Sequence, residues 1–80
     1  MTPARKAPNM ETYSGRFAAR LKELRLKAKL TVEQTAESVG VSANTIYSWE
    51  ASRTFPDVDL LPKIASSLNL KDVSKLFPKE

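Results

Sequence analysis

The stretch that most limits what this chain can fold into is residues 31–50, where two short apolar-periodic segments meet across Gly40. The first opens on Thr31, with Gln34 three residues later. In that pairing each side chain takes up a free backbone N–H at a helix start. Val32, Ala36 and Val39 then share one helical face until Gly40, which can enter the left-handed conformation that stops a helix. Ser42 is the next N-cap, and Ile46 with Trp49 gives the buried side of the second segment. So short a connection forces a sharp crossing. Ala36 is small where the second helix passes over it, and Val41, Ile46 and Trp49 fill the angle. The pattern predicts a helix-turn-helix.

The flanking sequence is helical as well. Phe17, Leu21, Leu24 and Ala28 recur at helical spacing, which predicts a first helix starting near Ser14. After the turn region, Asp57 or Asp59 caps a fourth helix with Leu60, Leu61, Ile64, Ala65 and Leu68 as its apolar stripe. Pro62 falls in its first turn, where the missing N–H costs little. Val73, Leu76 and Phe77 predict a last short helix ended by Pro78. No segment alternates long enough to make a strand. The expected fold is all-α with five helices over residues 13–78, preceded by a flexible basic arm, residues 1–12, that holds Pro3, Arg5, Lys6 and Pro8.

Composition narrows the function. Eighty residues suit one domain. The chain has no Cys and no His, the commonest thiolate and imidazole ligands, nucleophiles and bases. No Gly-rich phosphate loop or carboxylate pair stands out, so the expectation is a non-enzyme with no metal and no cofactor. The N-terminus lacks the apolar stretch of a leader and no run is long enough for a membrane span, which predicts a cytoplasmic protein. Net charge is +4, and it is concentrated. Within residues 16–29, Arg16, Arg20, Lys22, Arg25, Lys27 and Lys29 stand against Glu23 alone. Such a segment attracts phosphate backbones or acidic surfaces.

These residues together resemble the phage-repressor and Cro family, the xenobiotic-response-element type of helix-turn-helix. The resemblance rests on Leu24-Arg25, Leu30-Thr31, Ala36, Gly40-Val41-Ser42, Ile46, Trp49-Glu50, Pro56, Leu60-Leu61, Ile64-Ala65 and Leu68, and spans residues 17–77. It implies a five-helix, lambda-repressor-like domain that binds double-stranded DNA and acts as a transcriptional regulator, a repressor. The recognition helix, residues 43–51, would enter the major groove.

A core direction set by Ile46 and Trp49 leaves Asn44, Tyr47 and Ser48 pointing outward. Family likeness adds Ala43 to these base-reading positions. Asn44 can donate to and accept from adenine, whereas Ser48 discriminates less. With no Arg or Lys on this helix, the expected site leans on A·T pairs. The likeness assigns Thr45, Arg53, Thr54 and the backbone near Val32 to the DNA backbone. It also pairs Arg25 with Glu50, with Arg25 sharing its donors with a phosphate. Arg5 and Lys6 of the arm would reach around the duplex or into the minor groove, the alternative being a disordered tail with no DNA contact.

Three positions depart from the family pattern: Val32 stands where a Gln is usual, Thr35 where a Leu is usual, and Ser52 where a Gly is usual. A second reading therefore stays open, a protein-interaction module such as an antirepressor or assembly domain that does not bind DNA. Dimerisation on two half-sites is the family's habit. Leu70, Val73, Leu76 and Phe77 either form such a dimer surface or close the core.

Overall fold

The computed structural model describes residues 11–78. Pro3, Arg5, Lys6 and Pro8 of the expected arm lie outside the described residues. Among those described, four α-helices follow one another: α1 (Tyr13–Lys27), α2 (Val32–Val39), α3 (Ala43–Glu50) and α4 (Leu61–Ser67). Short 3-10 turns at Val58–Leu60 and Val73–Leu76 complete the order.

Three helix starts use side-chain caps. Thr12 Oγ1 accepts from Gly15 N at 3.0 Å at the head of α1. At α2 both bonds of the Thr31–Gln34 box form, Gln34 N to Thr31 Oγ1 at 3.0 Å and Thr31 N to Gln34 Oε1 at 2.9 Å. Ser42 Oγ accepts from Thr45 N at 3.2 Å at α3. The fourth start differs from expectation. Neither Asp57 nor Asp59 caps α4: its N-cap is Leu60, without a side-chain bond. The Val58–Leu60 turn runs directly into the helix, so the chain arrives already coiled, and Pro62 fills a first-turn position needing no donor.

All four helices end alike. One residue turns left-handed, Lys29 (φ 62°), Gly40 (φ 92°), Ser52 (φ 63°) and Asn69 (φ 61°). The residue after it donates its N–H back into the last turn: Leu30 to Arg25 O (3.1 Å), Val41 to Ala36 O (3.0 Å), Arg53 to Ser48 O (2.9 Å) and Leu70 to Ala65 O (2.9 Å). This closure satisfies carbonyls a helix end would otherwise leave open, and an apolar residue commonly seals it. Leu30, Val41 and Leu70 do so against the core. Arg53 does not, and is exposed.

The expected fifth α-helix is a correction. Val73–Leu76 is a 3-10 turn capped by Asp72, which accepts from Ser74 N. An α-helix here would need the N–H of residue 78 for Ser74 O, and Pro78 has none. Phe77 N takes that oxygen instead, at 3.2 Å. The Ser74 hydroxyl also bonds Asp72, and that bond chiefly holds the Asp72 carboxyl below its usual range.

The core draws on all four helices and the C-terminal turn: Phe17, Leu21 and Leu24 from α1, Val32, Ala36 and Val39 from α2, Ile46 and Trp49 from α3, Ile64 and Ala65 from α4, then Leu68 and Leu76. Leu76 is wholly buried and Phe77 lies 5.3 Å from the Phe17 ring, so the C-terminal segment closes the core over α1. Tyr13 Oη donates to Pro78 O at 3.0 Å and fixes the same seam. Thr35 sits buried where an apolar residue was expected, its hydroxyl satisfied by Thr31 O at 3.0 Å.

Candidate nucleic-acid interface

The position of α3 is set from beneath. Ile46 and Trp49 anchor one side in the core, at 1% and 4% exposure. Its last residue, Glu50, is held by Arg25 of α1: Nε donates to Oε2 at 2.7 Å and a terminal nitrogen to Oε1 at 3.2 Å. The remaining terminal nitrogen of Arg25 donates to Leu30 O at 2.8 Å. One guanidinium therefore ties α1, the α1–α2 corner and α3 together. A buried pair with every nitrogen engaged repays its desolvation better than a lone charge does.

Arg25 itself is 7% exposed, so its donors serve the fold and leave little for a phosphate to reach.

The opposite face of α3 carries the expected reading residues. Asn44 is exposed, and Ala43, Thr45, Tyr47 and Ser48 are half-buried. Tyr47 points outward only in part, since it also packs against the core, as Ala43 does. The Thr45 hydroxyl lies 2.9 Å from Ser42 Oγ and reinforces the helix start. The Val32 side chain is buried, and Glu33 beside it puts a carboxylate in the first turn of α2. That charge suits the helix dipole and opposes a phosphate.

Beyond α3, Arg53 and Thr54 are exposed on the loop. Arg53 joins Asn44, Tyr47, Ser48 and Ala51 around one shallow, open hollow. Phe55 holds the loop from the other side, its ring 5.2 Å from that of Phe17. Neither Ala51 in the hollow nor Phe55 as an anchor was foreseen. The available signal for the second was an aromatic residue in an otherwise polar loop.

The basic run of α1 is not one patch. Arg25 is buried, and Arg20 donates to Lys75 O at 3.3 Å and lies 3.7 Å from a Glu23 oxygen. Arg16 lies over the Tyr13 ring. Lys22, Lys27 and Lys29 remain exposed. Among the described residues no helix is long and apolar enough to cross a membrane, and no group of three candidate metal ligands gathers.

A short capped helix, a left-handed glycine and a second helix braced across the first define the class as an all-helical helix-turn-helix protein. Residues 16–75 match the helix-turn-helix domain family, and the chain belongs to it. Solved structures agree. The restriction-modification controller protein C.AhdI of Aeromonas hydrophila is 26% identical, with a TM-score of 0.73 over 78% of this chain and 92% of its own. A transcriptional regulator of the HTH_3 family from Vibrio cholerae is 31% identical with a TM-score of 0.71. That match covers 80% of this chain but 35% of the Vibrio protein. A hypothetical transcription factor from Neisseria superposes with a TM-score of 0.76 over 98% of this chain and 87% of its own, and at 18% identity it speaks for the fold alone. No curated protein sequence matches.

Proposed function

We propose that this protein is a sequence-specific regulator of transcription, a repressor, that places α3 in the major groove of double-stranded DNA. The observation that carries the reading is the contrast between the two faces of α3. One face is fixed by Ile46, Trp49 and the Arg25–Glu50 pair. The other offers only uncharged side chains, of which Asn44, Thr45, Tyr47 and Ser48 can hydrogen-bond. A merely solvated helix face is normally rich in Lys and Glu. The similarity to a controller protein and to transcriptional regulators supports the same reading.

In this reading Asn44 reads adenine, with Ala43, Tyr47 and Ser48 beside it on the base edges. Thr45, Thr54 and the backbone N–H groups near Val32 meet the phosphates, and Arg53 supplies a cation at the rim. The positions facing Asn44 and Ser48 favour A·T pairs. One small module with so few cationic contacts binds weakly alone, so two copies act on half-sites one helical turn apart in the cytoplasm.

The test is selection from a randomised duplex pool at two salt concentrations, sequencing what is retained. A palindrome with A·T opposite α3 is the expected result. Retention that is weak, salt-sensitive and blind to sequence would overturn it and favour a protein-interaction module.

A further inference from the structure

The four helix ends share one closure, yet only the end of α3 carries a cation where the others carry Leu30, Val41 and Leu70. Arg53 gives up the apolar seal of its helix, a feature of the fold that nothing in the core requires. Its backbone is not loose: Arg53 N donates to Ser48 O at 2.9 Å, and Ser52 N to Trp49 O at 3.1 Å. The Cα of Arg53 is therefore locked beside the last turn of α3. From there its side chain lines the same hollow as Asn44, Tyr47 and Ser48.

No carboxylate lines that hollow, and the ion pairs among the described residues involve Arg20 and Arg25 instead. The guanidinium shares its opening with neutral donors on the face that reads bases. Guanine presents two acceptors, O6 and N7, on its major-groove edge, at a spacing that fits the fork of an arginine. Residues 43–50 contain no Arg or Lys, so α3 by itself has no partner for guanine.

We propose that Arg53 is a specificity-determining residue that reads a guanine next to the A·T pairs faced by α3, rather than a phosphate clamp. The inference rests on α3 lying in the major groove.

The experiment is the same duplex selection, run in parallel on wild type, Arg53→Ala and Arg53→Lys. A titration of the selected site at several salt concentrations accompanies it. Arg53 is exposed and its backbone bonds do not use the side chain, so both variants keep the fold, checked by their thermal unfolding midpoints. In wild type, replacing the guanine should weaken binding roughly tenfold or more. In Arg53→Ala that preference disappears while the A·T positions stay selected and the salt slope hardly changes. Arg53→Lys keeps the charge but loses the fork, and recovers only part of the preference.

A uniform loss of affinity across sequences in Arg53→Ala, with the salt slope reduced by about one and fully restored by Arg53→Lys, marks a phosphate contact and overturns the proposal. An unchanged motif in both variants overturns it too, while leaving DNA reading by α3 intact. Absence of any motif in wild type overturns the DNA reading itself, and the role of Arg53 with it.

Discussion

The two corners that flank α3 face the same geometric problem and solve it with different materials. Before α3, Gly40 takes φ 92°, Val41 seals the turn against the core, and Ser42 caps the next helix. Every part of that corner lies within a few residues. After α3, Ser52 adopts a left-handed conformation that a side chain resists, Arg53 replaces the apolar seal, and Phe55 reaches the Phe17 ring for support. The first corner is built from adjacent residues, with Val41 as its own contact to the core. The second reaches further along the chain to Phe55 for its support, and carries an exposed cation, Arg53, where the first has an apolar seal.

Removing the Arg25–Glu50 brace, which holds the end of α3 where the second corner begins, should have the largest effect. Arg25→Ala leaves Glu50 buried and unpaired, while Glu50→Ala leaves Arg25 so; each should cost about 3–5 kcal/mol, read from the urea midpoint. If the pair chiefly positions α3, Arg25→Met combined with Glu50→Leu recovers much of that stability without recovering DNA affinity. Single variants as stable as wild type would refute the brace.

The first corner can be broken by conformation alone. A Cβ on Gly40 would meet nothing within 4 Å, so Gly40→Ala suffers no clash, only the cost of its backbone angles. That cost is about 1–2 kcal/mol. Gly40→Asn should lose less, because Asn tolerates the left-handed region. Equal losses in the two variants would show that something other than φ governs the turn.

Most of the α2–α3 corner was legible in the sequence because its causes are local. The capping box, the left-handed glycine and the Ser42 cap each act within one turn. Where the reading went astray, the deciding contact was distant or a missing atom intervened. Asp57 and Asp59 looked like caps, but the 3-10 turn ahead of α4 removed the need for one. The last helix became a 3-10 turn because Pro78 cannot donate. On α3, periodicity separated Ile46 and Trp49 from Asn44 and Ser48, yet it could not show that Tyr47 also rests on the core. The left-handed states of Lys29 and Ser52 carry no residue signal at all, since neither is a residue that favours them.

Phe55 tests how far the second corner borrows from the core. Phe55 is 55% exposed, so Phe55→Ala removes a partial stack on Phe17 and should cost about 1 kcal/mol. The consequence for function is larger than for stability if the loop carrying Arg53 and Thr54 loosens. Expected is a several-fold loss of DNA affinity with the circular dichroism spectrum unchanged, and substantial rescue by Phe55→Leu. Affinity tracking only the fraction folded would deny the ring any positioning role.

The smallest effect has the opposite sign. Ser52 at φ 63° pays for a left-handed backbone that glycine adopts freely, about 1–2 kcal/mol. Part of that returns when glycine enlarges the freedom of the unfolded chain, an opposing term of about 0.4–1 kcal/mol. Ser52→Gly should therefore stabilise the domain by about 0.5 kcal/mol, seen as a modest rise in the urea midpoint. Lys29→Gly relieves the same angle at the end of α1 and should gain a similar amount. Asn69→Gly should gain less, because Asn is already suited to the conformation. That ranking isolates backbone strain from any contact the side chains make. If Ser52→Gly instead lowers the midpoint, the serine side chain is holding the corner, and the second turn is less strained than its angles indicate.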